Sequence, residues 1–320
     1  MEEALYVGID IGGTSIKFGL IDDSGKIVTK WEIPTVKNKS NEEFVEYIWN
    51  SVLETKRHHQ IEFNNLKAIG IGSAGFVNVK EGIIYESVNI GWKDFPLGEI
   101  LQKVSGLPVF VENDANMATL GELWQGKGKG EENIITITLG TGVGGGIVIK
   151  GEVVSGENGT AGEIGHMIVE PEGELCNCGR RGCLETITSA TGIVKLAMRS
   201  IKENPHSQLA SFLKEKGSIS AKDIFNLAEQ GEEKSIGIIQ KVGDVLGLAI
   251  ANLGVIVNPK KVLIGGGVSK AGGQLLDAIE NGFDKYALKR IKDVCVIDIA
   301  SLENDAGIIG GAYLAKLNSN

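Results

Sequence analysis

The sequence lacks the features that would place the chain in or across a membrane. No run of about 18 uncharged apolar residues occurs among its 320 positions. The start, Met1-Glu2-Glu3 followed by a short apolar stretch, is not typical of a secretory signal peptide. These absences predict a cytoplasmic protein without a membrane partner.

Positive charge is also scarce. Lys and Arg number 32 against 41 Asp and Glu, so the formal net charge is -9. Binding along a nucleic-acid backbone needs a clustered basic surface, and we therefore expect no nucleic-acid partner. A small anionic ligand is compatible with this charge, because backbone N–H groups in glycine-rich loops bind phosphate without positive side chains.

Glycine, by contrast, is abundant: 45 of 320 residues, or about 14%, against a usual share of about 7%. Three glycine clusters follow predicted strands, and the first two lie in strand-turn-strand settings rather than at the start of a helix, which argues against a Rossmann fingerprint or a P-loop. Two interpretations of these hairpins are open. Either the turns need glycine for φ > 0, or the glycines let the backbone approach a polyphosphate, to which Thr14 and Thr141 would add hydroxyl donors. The clusters are Asp10-Ile11-Gly12-Gly13-Thr14, residues 139–146, and Ile264-Gly265-Gly266-Gly267-Val268-Ser269.

Hydrophobic periodicity indicates an α/β protein whose second half repeats the architecture of the first. A linker-like segment, residues 126–132, lies between the halves. The predicted strands are 5–10, 15–21, 26–33, 66–72, 108–111, 133–139, 147–150, 261–264 and 294–299. The predicted helices are 41–56, 115–125, 190–202, 221–229, 235–252, 272–281 and 304–317.

An apolar strand runs into polar residues just before a predicted helix, in Val109-Phe110-Val111-Glu112-Asn113-Asp114-Ala115-Asn116. Functional side chains often lie at such strand ends. Asp114 or Asn113 could equally cap the helix that follows. The local sequence leaves both interpretations open.

Three of the four cysteines, Cys176, Cys178 and Cys183, lie within eight positions, and His166 precedes them. In a cytosolic protein, where disulfides are rare, this pattern favours a Cys₃His zinc site over scattered free thiols. Four protein ligands would fill the tetrahedral shell, so the metal should be structural. The flanking carboxylates of Glu163 and Glu185 would be gathered with it, which makes a polar, sugar-sized site plausible.

Taken together, these motifs resemble the ROK family of sugar kinases, within the actin, hexokinase and Hsp70 fold group, and its bacterial glucokinases above all. The resemblance extends from Tyr6 to Lys316. It implies an actin-like ATPase (ribonuclease H-like) fold with duplicated βββαβα halves and an interdomain cleft, and it suggests a homodimer. The expected domains are a small α/β domain of residues 1–127 plus 304–320 and a large one of residues 128–303 that carries the zinc-binding loop.

The resemblance also implies a reaction, the ATP-dependent phosphorylation of glucose to glucose 6-phosphate, with Asp114 as general base, Mg²⁺ on the phosphates and a structural Zn²⁺. The implied sugar ligands are Gly75, Asn113, Asp114, Glu163, His166 and Glu185, and the implied zinc ligands are His166, Cys176, Cys178 and Cys183. The implied nucleotide-binding set is Asp10, Gly12, Gly13, Thr14, Lys17, Gly140, Thr141, Gly142, Gly265, Gly266 and Gly267. One departure is Gly72-Ser73-Ala74-Gly75, where many members have a proline before the last glycine.

Two other functions are compatible with the same family. One is a kinase for another hexose such as N-acetylmannosamine, mannose or fructose, because stereochemistry is read by hydrogen-bond geometry around the same carboxylates. The other is a sugar-responsive repressor, which would carry an N-terminal helix-turn-helix domain. The first predicted strand begins by Leu5 and leaves no room for that domain, and the acidic charge also disfavours DNA binding.

Overall fold

The computed structural model describes residues 4–37, 39–87 and 90–319. The chain divides into two compact units. The first unit comprises Met1–Gly130, Gly146–Gly162 and Leu302–Asn320, and the second comprises Glu131–Gly145 and Glu163–Ser301.

Up to residue 130 the described part of the chain forms three strands, a helix, four strands, a helix, a strand and a helix. They are β1 (Leu5–Ile11), β2 (Ser15–Asp22), β3 (Ile27–Pro34), α1 (Asn41–His58), β4 (Leu66–Ser73), β5 (Phe76–Asn78), β6 (Ile83–Ser87), β7 (Trp92–Phe95), α2 (Leu97–Ser105), β8 (Val109–Asn113) and α3 (Asp114–Gln125).

The rest of the chain opens in the same way and continues with a group of helices. Its elements are β9 (Ile134–Leu139), β10 (Val143–Ile149), β11 (Glu152–Val153), α4 (Glu185–Thr188), α5 (Ala190–Glu203), α6 (Gln208–Lys216), α7 (Ala221–Glu229), α8 (Glu233–Val257), β12 (Lys261–Gly265), α9 (Gly273–Tyr286), α10 (Lys289–Lys292), β13 (Val296–Ile299) and α11 (Ala306–Asn318).

The two five-stranded sheets share one topology. The strand orders are β3-β2-β1-β4-β8 and β11-β10-β9-β12-β13, so each sheet follows the pattern third, second, first, fourth, fifth. β1 is antiparallel to β2 and parallel to β4, and β12 is parallel to both β9 and β13. The repeated topology confirms the predicted α/β fold with duplicated halves.

The first sheet is covered on both faces, which explains why β1 is almost continuously apolar. The amphipathic helix α1 buries Phe44, Val45 and Ile48 in the core cluster that includes the strand residues. On the other face α11 packs so closely that a Cβ on Gly8 would overlap the carbonyl oxygen of Ile308. Glycine on the strand therefore allows helix α11 to contact the sheet backbone.

Several elements differ from the sequence-based expectations. The small sheet of β5, β6 and β7 and the helices α2 and α6 were not predicted, and each of these segments is nine residues long or shorter. The second glycine-rich turn is shorter than the predicted 140–146: it ends at Gly142, and β10 already begins at Val143. The glycines of β10 serve packing, since a Cβ on Gly146 would overlap the Thr119 hydroxyl.

The long helix α8 is apolar enough to cross a membrane by length and composition alone. In the structure, however, 61% of its most apolar window is buried within the protein. Its close neighbour is α9, because a Cβ on Gly243 would overlap the backbone of Ala278. The apolar residues of α8 thus belong mainly to the core of the second unit.

Candidate active site

The junction between β8 and α3 places two predicted site residues side by side. Asn113 is the N-cap of α3, and its Oδ1 accepts hydrogen bonds from the backbone N–H groups of Ala115 (2.9 Å) and Asn116 (3.3 Å). Its Nδ2 donates to the carbonyl oxygen of Gly75 at 3.1 Å. Of the two residues that the sequence left as capping candidates, Asn113 is therefore the N-cap, and Asp114 is the first helical residue.

The Asp114 carboxylate is held in place without an opposite charge beside it. Its Oδ1 accepts the backbone N–H of Ala115 at 2.9 Å, which lowers the pKa, but burial is the larger effect and raises the pKa of Asp114 above its usual range. A raised pKa makes a carboxylate a stronger base, provided that it is still ionised at the working pH. Asp114 therefore has the chemistry required of a proton acceptor.

Asp10, at the end of β1, is coupled electrostatically to Asp114. Burial first and the charge of Asp114 second raise the pKa of Asp10 from its ordinary value to about 6, and the Lys17 ammonium partly opposes both. The α11 residue Gly307 lies against the Asp10 carboxyl, because a Cβ added to Gly307 would lie 2.9 Å from Asp10 Oδ2. Paired carboxylates with raised pKa values are typical of sites that bind a cation or move a proton.

Glu112 belongs to the same junction and was not identified as a site residue from the sequence. Only 3% of it is exposed, and its carboxylate accepts hydrogen bonds from the Asn113 backbone N–H (2.8 Å), Asn116 Nδ2 (3.0 Å) and Ser155 Oγ (3.3 Å). Burial raises its pKa, although these three donors oppose the rise. An acidic residue inside an apolar strand was the available signal, because such a residue needs buried partners.

Gly75 lies at the turn between β4 and β5, where its carbonyl oxygen accepts the Asn113 amide. Its φ of 120° favours glycine, and a Cβ there would overlap the carbonyl oxygen of Glu86. The turn therefore has a defined conformation although Ala74, not proline, precedes the glycine.

The first glycine loop, Gly12 to Thr14, connects β1 to β2 as predicted. It is closed by a hydrogen bond from the Gly12 N–H to the Ser15 carbonyl (3.0 Å). Thr35 makes two hydrogen bonds to the loop. Its Oγ1 donates to the Gly12 carbonyl at 2.7 Å, and its backbone N–H donates to the Thr14 carbonyl at 2.9 Å. Farther along β2, Lys17 Nζ donates to Asn304 Oδ1 at 3.2 Å, a contact that sequence reasoning did not anticipate.

The second glycine loop, Gly140 to Gly142, connects β9 to β10, and the Gly140 N–H closes it on the Gly142 carbonyl at 2.9 Å. Glu185 approaches it so closely that a Cβ on Gly142 would lie 2.7 Å from Glu185 Oε2. The same oxygen accepts the Val143 N–H at 3.4 Å. The loop is thus packed directly against a predicted sugar ligand.

The third cluster, Gly265 to Gly267, follows β12 and leads into a short 3₁₀ helix. Gly266 has φ 84°, and a Cβ there would overlap the backbone of Leu139, the residue before the second glycine loop. Within the second unit, the second and third glycine clusters are therefore neighbours.

The four predicted metal ligands come together. The ligand atoms of His166, Cys176, Cys178 and Cys183 all lie within 4.8 Å of one another. Sγ of Cys178 is 3.6 Å from Sγ of Cys183, and Sγ of Cys176 is 3.7 Å from Nδ1 of His166. Ligands of a tetrahedral zinc ion with bonds of about 2.3 Å lie roughly 3.8 Å apart, so the arrangement fits zinc.

Two carboxylates flank His166 on different sides of its ring. Oε1 of Glu185 lies 3.8 Å from Nδ1, on the side of the sulfur atoms, and is itself 3.0 Å from Sγ of Cys176. Oε2 of Glu163 lies 4.0 Å from Nε2. Nδ1 is therefore the nitrogen placed to bind a metal, which leaves Nε2 on the side of Glu163.

The predicted site residues thus form two groups, one in each unit. The first unit holds Asp10, Gly12, Gly13, Thr14, Lys17, Gly75, Asn113 and Asp114, and the second holds Gly140, Thr141, Gly142, Glu163, His166, Cys176, Cys178, Cys183, Glu185, Gly265, Gly266 and Gly267. In each unit a glycine loop and acidic side chains occur together, a combination suited to binding a phosphate and a polyhydroxyl ligand.

Known proteins resemble the chain over nearly its whole length. A family model described as ROK family matches residues 6–318. A glucokinase of Halalkalibacterium halodurans is 47% identical over 321 residues, covering 100% of this chain and 97% of the relative. A glucokinase of Thermotoga maritima is 36% identical and covers 99% of this chain and 98% of the relative.

A solved structure resembles it to a similar extent. A ROK family glucokinase from Streptomyces griseus, in complex with glucose and AMPPNP, is 35% identical with a TM-score of 0.80. The match covers 98% of this chain and 100% of that one.

Proposed function

The chain belongs to the ROK family, and on that premise we propose that it is a glucokinase in which Asp114 accepts the proton of the glucose 6-hydroxyl as that oxygen attacks the γ-phosphate of ATP. The observation that carries the activity is the full-length similarity to glucokinases, at 47% and 36% identity. The observation that supports the role of Asp114 is its half-buried, hydrogen-bonded carboxylate, whose pKa is raised by desolvation.

Asp114 acts in this proposal by orientation as much as by basicity. Phosphoryl transfer needs little covalent help from a protein, because positioning of the nucleophile and neutralisation of the phosphate charges dominate catalysis. The Asn113 cap and its hydrogen bond to Gly75 hold the first turn of α3, and therefore the Asp114 carboxylate, in one place. The hydroxyl proton moves to an Asp114 carboxylate oxygen during the transfer.

We propose that the sugar hydroxyls hydrogen-bond to groups from the predicted set. In the first unit these are the Asn113 side chain, Asp114 and the backbone of Gly75. In the second unit they are Glu163, Glu185 and His166 Nε2, the ring nitrogen that faces away from the cysteine sulfurs. Carboxylates and imidazole suit this task, because each can form directional hydrogen bonds to neighbouring hydroxyls of a hexose.

ATP binds, in the same proposal, through the three glycine clusters. Gly12, Gly13 and Thr14, and likewise Gly140, Thr141 and Gly142, offer backbone N–H groups and threonine hydroxyls to the phosphates. Lys17 adds a positive charge beside the first loop, and Gly265, Gly266 and Gly267 leave room for the adenosine moiety.

Two metal ions complete the proposed chemistry. Mg²⁺ would neutralise phosphate charge when bound, and Asp10 would hold it through water, because its half-buried carboxylate is destabilised by the nearby charge of Asp114. Zn²⁺ would be held by His166, Cys176, Cys178 and Cys183, whose mutual distances fit a tetrahedral ion. With four protein ligands its role is structural: it gathers the loop that carries Glu163 and Glu185.

We further propose that the enzyme works in the cytoplasm as a homodimer. None of the four cysteines forms a disulfide, which supports a reducing compartment. Light scattering coupled to size-exclusion chromatography would test the dimer, and a mass of one chain, 34.0 kDa, would contradict it.

A hexose panel tests the proposed reaction. Purified protein is assayed for ADP release with Mg-ATP and glucose, mannose, fructose or N-acetylmannosamine, and the glucose product is checked with a glucose 6-phosphate-specific dehydrogenase. We expect the highest kcat/KM for glucose. A higher value for another sugar would reassign the substrate within the family, and no turnover with any hexose would contradict the kinase activity.

A further inference from the structure

The first turn of α5 holds the second glycine loop by its carbonyl groups. The Ala190 backbone N–H donates to the Gly140 carbonyl at 2.8 Å. The hydroxyl of the next residue, Thr191, donates to the Thr141 carbonyl at 3.0 Å. Two successive peptide carbonyls of the loop are therefore directed toward the same end of one helix.

This arrangement decides where the loop directs its N–H groups. In a planar trans peptide the C=O of one residue and the N–H of the next point in opposite directions. With the Gly140 and Thr141 carbonyls bonded to α5, the N–H groups of Thr141 and Gly142 point away from that helix. Two successive N–H groups on one side of a turn form an anion-binding concavity.

The second of these peptides, Thr141–Gly142, is restrained from outside the loop. Glycine at 140 and 142 leaves the torsions of the turn free, and the Gly140 N–H closes only the outer bond to the Gly142 carbonyl. The Thr141 side chain is exposed, whereas its carbonyl is bound by Thr191. The hydroxyl of Thr191 thus restrains a peptide that glycine leaves mobile.

We propose that Thr191 is a positioning residue for the nucleotide: its hydroxyl fixes the Thr141–Gly142 peptide so that the Gly142 N–H is directed at a bound ATP phosphate. This inference rests on the proposed function, because it takes residues 140–142 as a phosphate-binding loop. Thr191 touches neither phosphate nor sugar; it acts through the loop. Removing its hydroxyl therefore weakens nucleotide binding more than glucose binding, which the loop affects only through its contact with Glu185.

Thr191→Val and Thr191→Ser separate the hydroxyl from the rest of the side chain. Valine keeps the β-branched shape without a donor, and serine keeps the donor. Both are measured for Mg-AMPPNP affinity by calorimetry, for the KM of ATP and glucose, and for thermal unfolding. Ser211→Ala is the matched control, since Ser211 Oγ makes the same kind of bond, to the Ser207 carbonyl (3.2 Å) in α6.

For Thr191→Val we expect the Kd of Mg-AMPPNP and the KM of ATP to rise about 3- to 10-fold, the value of one partly exposed hydrogen bond. Thr191→Ser should restore them to within about twofold, and Ser211→Ala should match the wild type. Any of three results would overturn the inference. The Kd of Mg-AMPPNP and the KM of ATP could stay unchanged in Thr191→Val, or they could rise as much in Thr191→Ser as in Thr191→Val. The KM of glucose could also rise by the same factor as the KM of ATP.

Calorimetry keeps this test separate from that of the proposed function. A wild type that binds Mg-AMPPNP but phosphorylates no hexose would refute the glucokinase proposal, while the Kd values of the two variants would still decide the role of Thr191. A wild type that binds no nucleotide would refute both.

Discussion

The junction of β8 with α3, residues 112–116, and the metal-binding loop, residues 163–185, reach their shapes in different ways. The junction combines a strand end with a helix start, and main-chain and side-chain hydrogen bonds satisfy its polar groups. The metal-binding loop has little regular structure, a three-residue 3₁₀ helix and isolated β-bridges such as Ile168 with Cys183. Four ligand side chains meet at its centre.

The two regions position their polar side chains differently, one by regular secondary structure and the other by a cluster of metal-ligating side chains. Regular structure and its hydrogen bonds position Asn113 and Asp114. In the loop, three sulfur atoms and a ring nitrogen crowd together, an arrangement that becomes favourable when a cation binds them as thiolates and neutral imidazole. We therefore expect the junction to tolerate metal removal and the loop to depend on it.

Asp114→Asn should produce the largest effect, because it removes the proposed base and leaves the junction intact. Asparagine is isosteric, and its Oδ1 can still accept the Ala115 N–H. We expect kcat to fall by about 10²- to 10⁴-fold, the usual range for loss of a general base, with a modest change in glucose affinity. Steady-state kinetics and calorimetry with glucose measure the two quantities.

Asp284→Asn is the control for that substitution, because Asp284 pairs with Lys292 at the surface of the second unit. Its activity should equal that of the wild type. Near-normal turnover in Asp114→Asn would contradict the assignment of Asp114 as the general base.

Metal removal should have the next largest effect, confined to the loop. We expect about one zinc per chain in protein purified without chelators, and less in Cys178→Ser. Without metal, hydrogen exchange should accelerate in residues 163–185 and the KM of glucose should rise roughly 10- to 100-fold, the range typical of a disturbed metal site. Elemental analysis measures the zinc content, and hydrogen-exchange mass spectrometry measures the exchange rates.

Cys295→Ala provides the matched control, since Cys295 is a buried thiol outside the cluster. Its zinc content should stay at the wild-type level. Zinc-free wild-type protein would refute the metal site, and equal exchange rates in residues 112–116 and 163–185 after chelation would break the contrast between the two regions.

Asp10→Asn should change the stability of the ligand-free protein, and the change should be a gain. Burial, then the charge of Asp114, raise the pKa of Asp10 from 3.8 to about 6, so the native state binds more protons than the unfolded state between those values. Stability therefore falls as pH rises through that window. At pH 7.5 the variant should gain up to about 3 kcal/mol, and roughly half of that at pH 5.

Urea unfolding at the two pH values measures this gain. Asp22→Asn is the opposite case: although burial raises the pKa of Asp22, hydrogen bonds from Ser24 and Lys26 lower it overall, so this variant should lose stability at pH 7.5. A pH-independent effect in Asp10→Asn would show that its carboxylate is not destabilised in the native state.

Much of the fold could be predicted because its signals are local. Alternating apolar residues identified β1, β2 and β3, and apolar spacing identified α1 to within a few residues. The small sheet of β5 to β7 escaped prediction, because its strands are three to five residues long and are stabilised by pairing with one another.

The candidate site likewise has some features that the local sequence predicts and others that it does not. The spacing of His166 and the three cysteines predicted that their side chains would meet, and they do. Glu112 and Thr191 were not predicted, because their partners, Ser155 for the one and Thr141 for the other, are distant in sequence.

The sequence by itself determined the glycine hairpins, the metal-ligand spacing and the duplicated order of strands, since each depends on residues close together in the chain. Only the tertiary structure decided that Asn113, not Asp114, caps α3, that Asp10 and Asp114 share one electrostatic environment, and that α5 holds the loop at residues 140–142. Burial, electrostatic coupling and hydrogen bonds between remote segments arise when the chain packs, and no local pattern encodes them.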